Sequence, residues 1–359
     1  MPDRPKTPFE AGTEGIPRRL AREVKVHTAA VRALRSARRA VRGRTVIVGP
    51  WSSEVGFELL YWIPFVRRLL REAGVAPDRV VVVSRGGVSS WYGDLSSRYV
   101  DLLDWLSEEE LQQERMHRIR VGGGEKQVSL TPFDRAAAAR VREREGASDA
   151  RLLHPSTMYR RYRAVWMRRR SPAVVVREVD FEPITPPPGL PGGLVHGEYI
   201  AVKAYFSSSF PDTPQNRSAL RALLERLTRH GPVVLLGGGG VDEHEHPELS
   251  GIGLVAQPPE AWVPNANLAE QTRIVSGARM LVATYGGLSY LGPFMGVPTC
   301  AFYSDDVFNT VHMDVLRAAE RGLAGDGASR RSALLAFDIQ HLDLIDRLAA
   351  EPAGAPFGA

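Results

Sequence analysis

The stretch RMLVATYGGLSYLGPFMGVPTCAFYS, residues 279–304, alternates strand-like and helix-like segments around a pair of glycines. The runs MLVA and TCAFY have the length and apolar content of buried strands. Gly286 and Gly287 stand between the first run and a short helix, where a sharp turn needs the conformational freedom of glycine. A strand, a helix and a second strand in this order predict a parallel sheet covered by helices.

The same rhythm continues on both sides of this stretch. In the second half of the chain, strand-like runs occupy 198–206 and 232–240, and helical patterns occupy 216–231 and 268–278. The first half has strand-like runs at 45–50 and 78–87, and helical patterns at 55–74, 99–114 and 131–146. The proline-rich segment 182–197 separates the two series, because it favours neither a helix nor a central strand.

We therefore predict an α/β fold of two Rossmann-like domains that face each other across a cleft, preceded by a basic helical extension. The predicted segments, in chain order, are a basic N-terminal extension (1–44), a first Rossmann-like domain (45–181), a linker (182–197), a second Rossmann-like domain (198–335), and a C-terminal helix and tail (336–359).

Composition is that of a globular protein without membrane spans. The chain has 359 residues, 43% hydrophobic and 24% charged, and no uninterrupted apolar run long enough to cross a bilayer. Its N-terminus has no apolar stretch that could serve as a signal peptide, and its single cysteine, Cys300, cannot form an internal disulfide. We expect a cytoplasmic protein.

Positive charge is concentrated at the N-terminus. Residues 1–44 contain twelve Lys or Arg and four acidic residues. The net positive charge of this segment therefore exceeds the net charge of the whole chain, which is +5. An apolar stripe at helical spacing lies within this basic segment, formed by Leu20, Val24, Val31, Leu34 and Val41. Two interpretations stay open: the stripe packs on the body of the protein, or the helix binds an anionic membrane surface or nucleic acid.

The glycine turn after residues 280–284 is a candidate anion site. In an open parallel sheet, ligands bind beyond the carboxyl ends of the strands. Backbone N–H groups at a helix start lack internal partners, and Thr284 and Ser289 add hydroxyl groups. A pyrophosphate would fit there. The alternative is that the glycines only allow close packing of strand and helix.

Several of these motifs together resemble the C-terminal half of GT-B glycosyltransferases, on their heptosyltransferase and fucosyltransferase-like side. The resemblance is good over 198–305 and loose over 45–110. The matching positions are Gly237–Gly240, Glu270 and Gln271, Thr284–Ser289, and Gly296–Pro298. Lys203 stands near a position at which fucosyltransferase-like relatives have arginine, and this departure argues against a guanosine-diphosphate-fucose donor. Lys203 could instead be a surface residue at a strand end.

The resemblance implies a set of donor-binding residues and no metal. That set is Lys203, Tyr205, Gly238, Gly239, Glu270, Gln271, Thr284, Tyr285, Gly286, Gly287, Leu288 and Ser289.

Two carboxylates in the first half are candidate general bases. The segment GPWSSEVGFELLYWIPFVRRL, residues 49–69, looks like the glycine-containing loop and helix that face the acceptor in such enzymes. Glu54 precedes the helix and Glu58 lies in its first turn. A carboxylate held at a cleft can take the proton of an attacking hydroxyl. Alternatively, both only favour the helix N-terminus electrostatically.

Two other charged motifs are weaker candidates. DEHEH, residues 242–246, lacks a second ligand cluster at metal-binding spacing, so we interpret it as a solvated loop. MYRRYRAVWMRRR, residues 158–170, could bind an anionic acceptor, a lipid head group or nucleic acid, but a solvated basic helix is the commoner outcome.

We expect a glycosyltransferase, inverting and independent of metal or other cofactors, that uses a nucleotide diphosphate sugar as co-substrate. Its acceptor would be a small molecule, a glycan or a lipid-linked compound, with peripheral association at the inner membrane face, and nucleic acid is not an expected partner. Two alternatives remain: a nucleotide-sugar epimerase or hydrolase on the same fold, and a non-catalytic protein whose basic tail binds nucleic acid or membrane.

Overall fold

A computed structural model of the chain describes residues 28, 31–32, 34–121, 126–187, 198–237, 255–256, 263–304, 310–324 and 334–350. In these ranges ten strands form two separate sheets, and every pairing described within the sheets is parallel. The strands are β1 (Val46–Val48), β2 (Val80–Ser84), β3 (Arg98–Asp101), β4 (Arg151–Leu153), β5 (Ile200–Lys203), β6 (Val233–Leu235), β7 (Val255–Ala256), β8 (Met280–Thr284), β9 (Thr299–Tyr303) and β10 (Leu334–Asp338).

The strand orders confirm the predicted two-part α/β fold. The first sheet has the order β3-β2-β1-β4 and the second has the order β10-β9-β8-β5-β6-β7. Numbered within its own half and taken from the other edge, the second sheet reads 3-2-1-4-5-6, which is the order of dinucleotide-binding domains. The first sheet reads 3-2-1-4. Each sheet therefore has a point, between its first and fourth strands, where the direction of winding reverses.

Helices connect the strands as the periodicity predicts. They are α1 (Val55–Phe57), α2 (Ile63–Ala73), α3 (Ser89–Tyr92), α4 (Glu108–Arg120), α5 (Pro132–Arg144), α6 (Ser156–Trp166), α7 (Ala173–Val176), α8 (Pro214–Leu227), α9 (Asn267–Gly277), α10 (Leu291–Met295), α11 (Thr310–Ala324) and α12 (Asp343–Ala350). Between α1 and α2 the chain forms a π-helical segment, Glu58–Trp62, which the sequence pattern did not distinguish from an α-helix. Such segments often occur at functional sites.

The helix predicted over 99–114 was wrong in its first part. The helix expected over 99–114 begins only at Glu108, and its first part is the strand β3 followed by a 3₁₀ turn. Ser107 accepts a hydrogen bond from the backbone N–H of Glu110, and the Glu110 side chain accepts one from Ser107 N–H. This capping box sets the helix start. The apolar residues before it belong to a sheet.

Hydrophobic packing joins the two halves. One cluster of buried side chains contains residues of the first half, such as Trp51 and Trp62, and of the second, such as Leu268 and Phe294. Two further clusters belong to one half each. The facing sides of the halves therefore touch over part of their length, and the predicted cleft stays a prediction.

The apolar stripe of the N-terminal extension packs on the body. Residues 34–41 are helical, and Leu34 and Val41 are buried in the cluster shared by the halves. Arg38 forms an ion pair with Glu72 of α2. Leu20 and Val24 lie outside the described residues. Where it is described, the extension thus follows the packing interpretation, and its exposed side still presents arginines such as Arg35 and Arg39.

The predicted boundaries of the second half fall in the segment before β5 and within β10. Residues 182–187 of the predicted linker form neither helix nor strand, and Ile184 N–H donates to Phe294 O at 2.9 Å. The predicted boundary after residue 335 falls inside β10, which pairs with β9. The helical part of the C-terminal segment is α12.

Candidate functional site

The reversal point of the second sheet lies between β5 and β8. Lys203 ends β5 and Thr284 ends β8, and these two strands are hydrogen-bonded neighbours. Residues that follow paired parallel strands meet at one edge, so Tyr205 and the turn Tyr285–Gly287 lie beside each other there. The topology brings together two groups of predicted donor-binding residues that are about eighty positions apart in sequence.

Lys203 is a buried cation at this edge. Its side chain is 2% exposed, and its ammonium donates a hydrogen bond to Gly237 O, at the end of the adjacent β6, at 3.3 Å. The alternative that Lys203 is a surface residue is wrong. A buried ammonium at the carboxyl end of a central strand can neutralise an anion, and such an anion would offset part of its desolvation cost.

Tyr205 packs directly on the glycine turn. Gly286 has φ +103° and Gly287 has φ +49°, a region that other residues rarely adopt. A β-carbon built on Gly287 would lie 2.7 Å from Tyr205 Oη. Backbone conformation therefore favours glycine at both positions, and the closeness of Tyr205 Oη adds to this preference at Gly287.

The two hydroxyl groups predicted to bind phosphate have partners inside the protein. Thr284 is fully buried, donates to Tyr205 O at 3.0 Å and accepts from Tyr205 N–H at 3.1 Å. Ser289 is also fully buried and accepts from Gly286 N–H at 3.2 Å. These hydroxyls hold the turn in shape. Tyr285 and Leu288 are buried, with 6% and 4% exposure, so a ligand would meet the turn mainly through its backbone.

The helix after the turn is shorter than the sequence suggested. Gly287–Tyr290 is a 3₁₀ turn, and α10 has only five residues. Its aligned peptide dipoles are correspondingly few, so the electrostatic attraction for an anion rests more on Lys203 than on a helix terminus.

Glu270 and Gln271 lie on α9, which docks on the first half. Glu270 forms an ion pair with Arg273 on its own helix. Gln271 is fully buried, and its Nε2 donates to Asn267 Oδ1. Next to them, Thr272 Oγ1 accepts from Trp91 Nε1 at 2.9 Å, across the boundary between the halves. Gly238 and Gly239 lie outside the described residues.

The two candidate bases have different environments. Glu54 is partly exposed at the residue before α1, and its side chain makes no capping hydrogen bond. Glu58 is completely buried. It accepts hydrogen bonds from Ser84 Oγ at 2.5 Å, Tyr92 Oη at 2.7 Å and Arg85 Nη1 at 3.2 Å. Glu54 alone of the pair is accessible to an acceptor.

Glu58 is the centre of a buried polar network. Burial raises the pKa of Glu58, while Arg85 and the hydrogen bonds from Ser84 and Tyr92 oppose that shift. Arg85 also donates to Ser53 O, in the loop before Glu54. The network ties the carboxyl end of β2 to the loop that follows β1. The catalytic role predicted for Glu58 stays a prediction, and its carboxylate oxygens are hydrogen-bonded within the protein.

A second network holds the same loop from the other side. Gln127 is fully buried, accepts from Ser52 N–H at 3.0 Å and donates to Pro50 O at 2.8 Å. Arg118 donates to Ser52 Oγ and to Asp134 Oδ1, both at 2.8 Å. We call Gln127, Arg118 and Asp134 the loop clamp. It fixes the position of the loop that leads into Glu54.

His154, the first residue after β4, completes the clamp. Its Nε2 lies 3.1 Å from Asp134 Oδ2, and its Nδ1 accepts from Ser156 N–H at 3.2 Å. Burial lowers the pKa of His154, so the ring is neutral at pH 7 with its proton on Nε2. Burial opposes ionisation of Asp134, but His154 and Arg118 outweigh it and lower its pKa.

The reversal points of the two halves are brought against each other. A β-carbon built on Gly56 would lie 2.9 Å from Gly287 N, so the start of α1 touches the glycine turn. Close by, Tyr61 Oη and His312 Nδ1 form a hydrogen bond of 2.6 Å between the π-helical segment and α11. The ring of His312 also meets Phe57 edge-on. Burial, together with Lys126, lowers the pKa of His312 to about 3.

Sequence analysis missed Arg85, Gln127 and His312. Arg85 had a weak signal, because it follows a strand and precedes two glycines. Gln127 and His312 had none, since their partners are distant in sequence. Within the described ranges, no group of three or more His, Cys, Asp or Glu residues is arranged to hold a metal ion. Nor does this part of the chain contain a helix with the length and apolarity to cross a membrane.

Comparison with known proteins gives structural likeness only. No protein-family model matches the chain, and no curated protein does. Among solved structures, the chain is similar to the E. coli heptosyltransferase WaaC with ADP, at 16% identity and TM-score 0.43, covering 85% of this chain and 99% of that one.

Two further structures are similar over most of their length. A family 9 glycosyltransferase from Veillonella parvula has 13% identity and TM-score 0.41, covering 86% of this chain and 88% of that one. The UDP-GlcNAc 2-epimerase from Neisseria meningitidis has 10% identity and TM-score 0.35, covering 84% and 91%. With TM-scores below 0.5, these likenesses support no conclusion about the reaction, and the fold rests on the two parallel sheets themselves.

Proposed function

We propose that the chain is a glycosyltransferase that moves a sugar from a nucleotide diphosphate donor, bound by the second half, to an acceptor hydroxyl presented by the first. The observation behind this proposal is the contact between the two reversal points. In this contact Gly56, two residues after the partly exposed Glu54, meets the turn that follows β8, and β8 is the neighbour of the strand that ends at the buried Lys203.

The donor side would use charge and backbone. The diphosphate would lie at the carboxyl edge between β5 and β8, where Lys203 supplies a cation and Gly286–Gly287 allow a ligand to approach the main chain. As the bond between sugar and diphosphate breaks, negative charge grows on the leaving phosphate oxygen, and a cation already in place stabilises that charge. The proposal needs no metal ion.

The acceptor side would use one carboxylate. The acceptor oxygen attacks the anomeric carbon, Glu54 takes its proton, and the nucleoside diphosphate leaves with the bonding electrons. Attack from the face opposite the leaving group inverts the configuration at that carbon. Glu58 acts only through the loop, because Arg85 joins its carboxylate to Ser53 O.

A second enzymatic function is favoured by one observation. Gly56 contacts Gly287, and a hydrophobic cluster is shared by the two halves. The edge of the first half that carries Gly56 therefore lies against the edge of the second half that carries the glycine turn. A nucleotide-sugar epimerase or hydrolase needs no second large substrate at this boundary. A glycosyltransferase with a large acceptor has to separate the edges during its cycle.

Location and partners follow from the proposed reaction and the charge distribution. We place the enzyme in the cytoplasm, with peripheral association at the inner membrane face when its acceptor is lipid-linked. The exposed arginines of the N-terminal extension, including Arg35 and Arg39, supply the positive charge for that association.

A ligand screen followed by a product assay tests the proposal. ADP, GDP, UDP and CMP are screened by thermal shift, and we expect one diphosphate to raise the melting temperature by several degrees at saturation. Lys203→Met, which keeps the side-chain volume, should abolish that shift, while Met295→Leu should retain it. Absence of a shift with every nucleotide contradicts the donor site.

The matching nucleotide sugar is then supplied with and without acceptors, in the presence and absence of EDTA. Sugar transfer is supported if nucleoside diphosphate is released only when an acceptor is present and if EDTA does not change the rate of release. Release without any acceptor supports the hydrolase, and a changed sugar configuration without release supports the epimerase.

A further inference from the structure

Lysine is rare in this chain. Of its 46 basic Lys and Arg residues, 42 are arginine and only four are lysine. Lys6 and Lys25 lie in the N-terminal extension, outside the described residues. The other two, Lys126 and Lys203, belong one to each half. The proposed donor site uses Lys203, whereas nothing so far assigns a role to Lys126.

Lys126 reaches the boundary between the halves. Its ammonium lies 4.4 Å from the centroid of the Phe57 ring, which in turn meets His312 of the second half. Phe57 follows Gly56, the residue that touches the glycine turn. A cation over an aromatic face keeps a defined position even without a charged partner.

Lys126 has no charged partner among the residues that the structure describes. Across the described ranges, its ammonium forms no ion pair and donates no hydrogen bond within the protein. Other basic side chains nearby differ: Arg118 pairs with Asp134, and Arg85 pairs with Glu58. His312, which faces the same ring, is neutral at pH 7 because its pKa is lowered to about 3. Asp314, on the same helix as His312, is exposed and forms no ion pair with Lys126.

The backbone beside Lys126 is held firmly. Gln127 belongs to the loop clamp and is hydrogen-bonded to Pro50 O and Ser52 N–H. The same clamp thus positions Lys126 and the loop that leads into Glu54. A cation held in this way, over a ring three residues after the candidate base Glu54, is suited to orient a substrate rather than to stabilise the fold.

We propose that Lys126 is an anion-binding subsite that receives an acidic group, phosphate or carboxylate, of the sugar acceptor. The inference deepens the proposed function and rests on it. An acidic group on Lys126 would anchor the acceptor on the first half, with its hydroxyl directed toward Glu54. The diphosphate of the donor could also supply the anionic group. It would reach Lys126 only by extending past the contact of Gly56 with Gly287.

The small number of lysines makes a direct test practicable. Protein labelled with ¹³C at the lysine ε-carbon gives four side-chain signals, assigned with the variants Lys126→Arg and Lys203→Arg. The protein is titrated with glucose 6-phosphate and glucuronate for the acceptor source, and with ADP, GDP and UDP for the donor source. Titration with KCl at matched ionic strength is the control, and the signals of Lys6 and Lys25 report non-specific ion binding.

We expect a saturable shift of the Lys126 signal with glucose 6-phosphate or glucuronate, and a shift of Lys203 with one nucleoside diphosphate. Lys126→Met, which keeps the stem over Phe57, should weaken binding of the acidic sugar by about 10- to 100-fold, because a charged hydrogen bond is lost. A Lys126 signal that follows ionic strength alone, or responds only to nucleoside diphosphates, overturns the inference. A silent Lys203 contradicts the proposed donor site instead, so the two failures are distinguishable.

Discussion

The two reversal points use polar side chains in opposite ways. In the first half, the loop after β1 is held by two buried networks, one around Glu58 and one formed by the loop clamp. In the second half, the turn after β8 is held by glycine conformation, two buried hydroxyls and the packing of Tyr205. Its principal charge is Lys203.

This difference suggests a division of labour between the halves. A loop tied by many hydrogen bonds can hold a carboxylate in one place, which is what a general base requires. A turn with few polar side chains, on a strand beside a buried cation, lets a ligand approach its main chain. The first half would then determine the position of the acceptor, and the second half the affinity for the donor.

Removing the charge at the centre of the loop clamp should have the largest effect. Asp134→Asn keeps the shape of the side chain but removes one of the two carboxylates that pair with the buried Arg118, leaving Glu114, and should lower the unfolding free energy by about 3 kcal/mol. Chemical denaturation measures the loss, and the exposed Asp149→Asn is the matched control. If both variants unfold at the same denaturant concentration, the clamp does not hold the first half together.

The N-terminal helix should contribute nearly as much to stability. Leu34 is 9% exposed and packs in the cluster shared by the halves, so Leu34→Ala should cost about 2–3 kcal/mol. Deleting residues 1–40 should destabilise the protein at least as much, since Leu34 is removed with them. The exposed Arg35→Ala is the control. A deletion variant with unchanged melting temperature would show that the extension only rests on the body.

The glycine turn offers a more specific test of the second half. Gly287→Ala places a β-carbon against Tyr205 Oη and holds alanine at positive φ, for a cost of about 2 kcal/mol. Tyr205→Phe removes the oxygen, so the same substitution should cost less in that background. A double-mutant cycle measures the difference, and equal costs in both backgrounds would rule out the contact. Gly287→Val would be ambiguous as a phosphate test, because it meets the same ring.

The stability of the protein should also depend on pH through His312, which lies where the two halves meet. The folded pKa of His312, about 3, lies below the ordinary value near 6.5, so only the unfolded chain takes up this proton between those values. The contribution of His312 to stability is complete above pH 6.5 and is lost as the pH falls toward 3. His312→Asn keeps a hydrogen-bonding group near Tyr61 without titrating, and its stability should depend less steeply on pH in that window. Parallel curves for both proteins would contradict the lowered pKa.

Local patterns predicted the sheets and the position of the site. Buried strands such as β5 and β8 have apolar runs followed by glycine or polar residues, and chain order alone places their ends at one edge. For that reason Lys203 and the glycine turn could be named in advance. The short strands β3 and β4 were missed because they are only partly buried and lack such runs.

Side-chain partners could not be predicted in the same way. The position of Glu58 in the sequence is the same whether its side chain faces an acceptor or Arg85. Only the fold brings Ser84 and Tyr92 to it. The hydroxyl of Thr284 was expected to bind a ligand, but a parallel strand pair turns it toward Tyr205. A single sequence shows which side chains can donate or accept hydrogen bonds, but it does not show which of them pair with each other.

Calorimetry with the nucleoside diphosphate found in the ligand screen tests the division of labour most directly. It is run on the wild-type protein, Lys203→Met and Glu54→Gln, with initial rates measured beside it. The account predicts that Lys203→Met weakens diphosphate binding by about 10- to 100-fold, and that Glu54→Gln binds normally but loses most of its turnover. Unchanged binding in Lys203→Met, or unchanged turnover in Glu54→Gln, would contradict it.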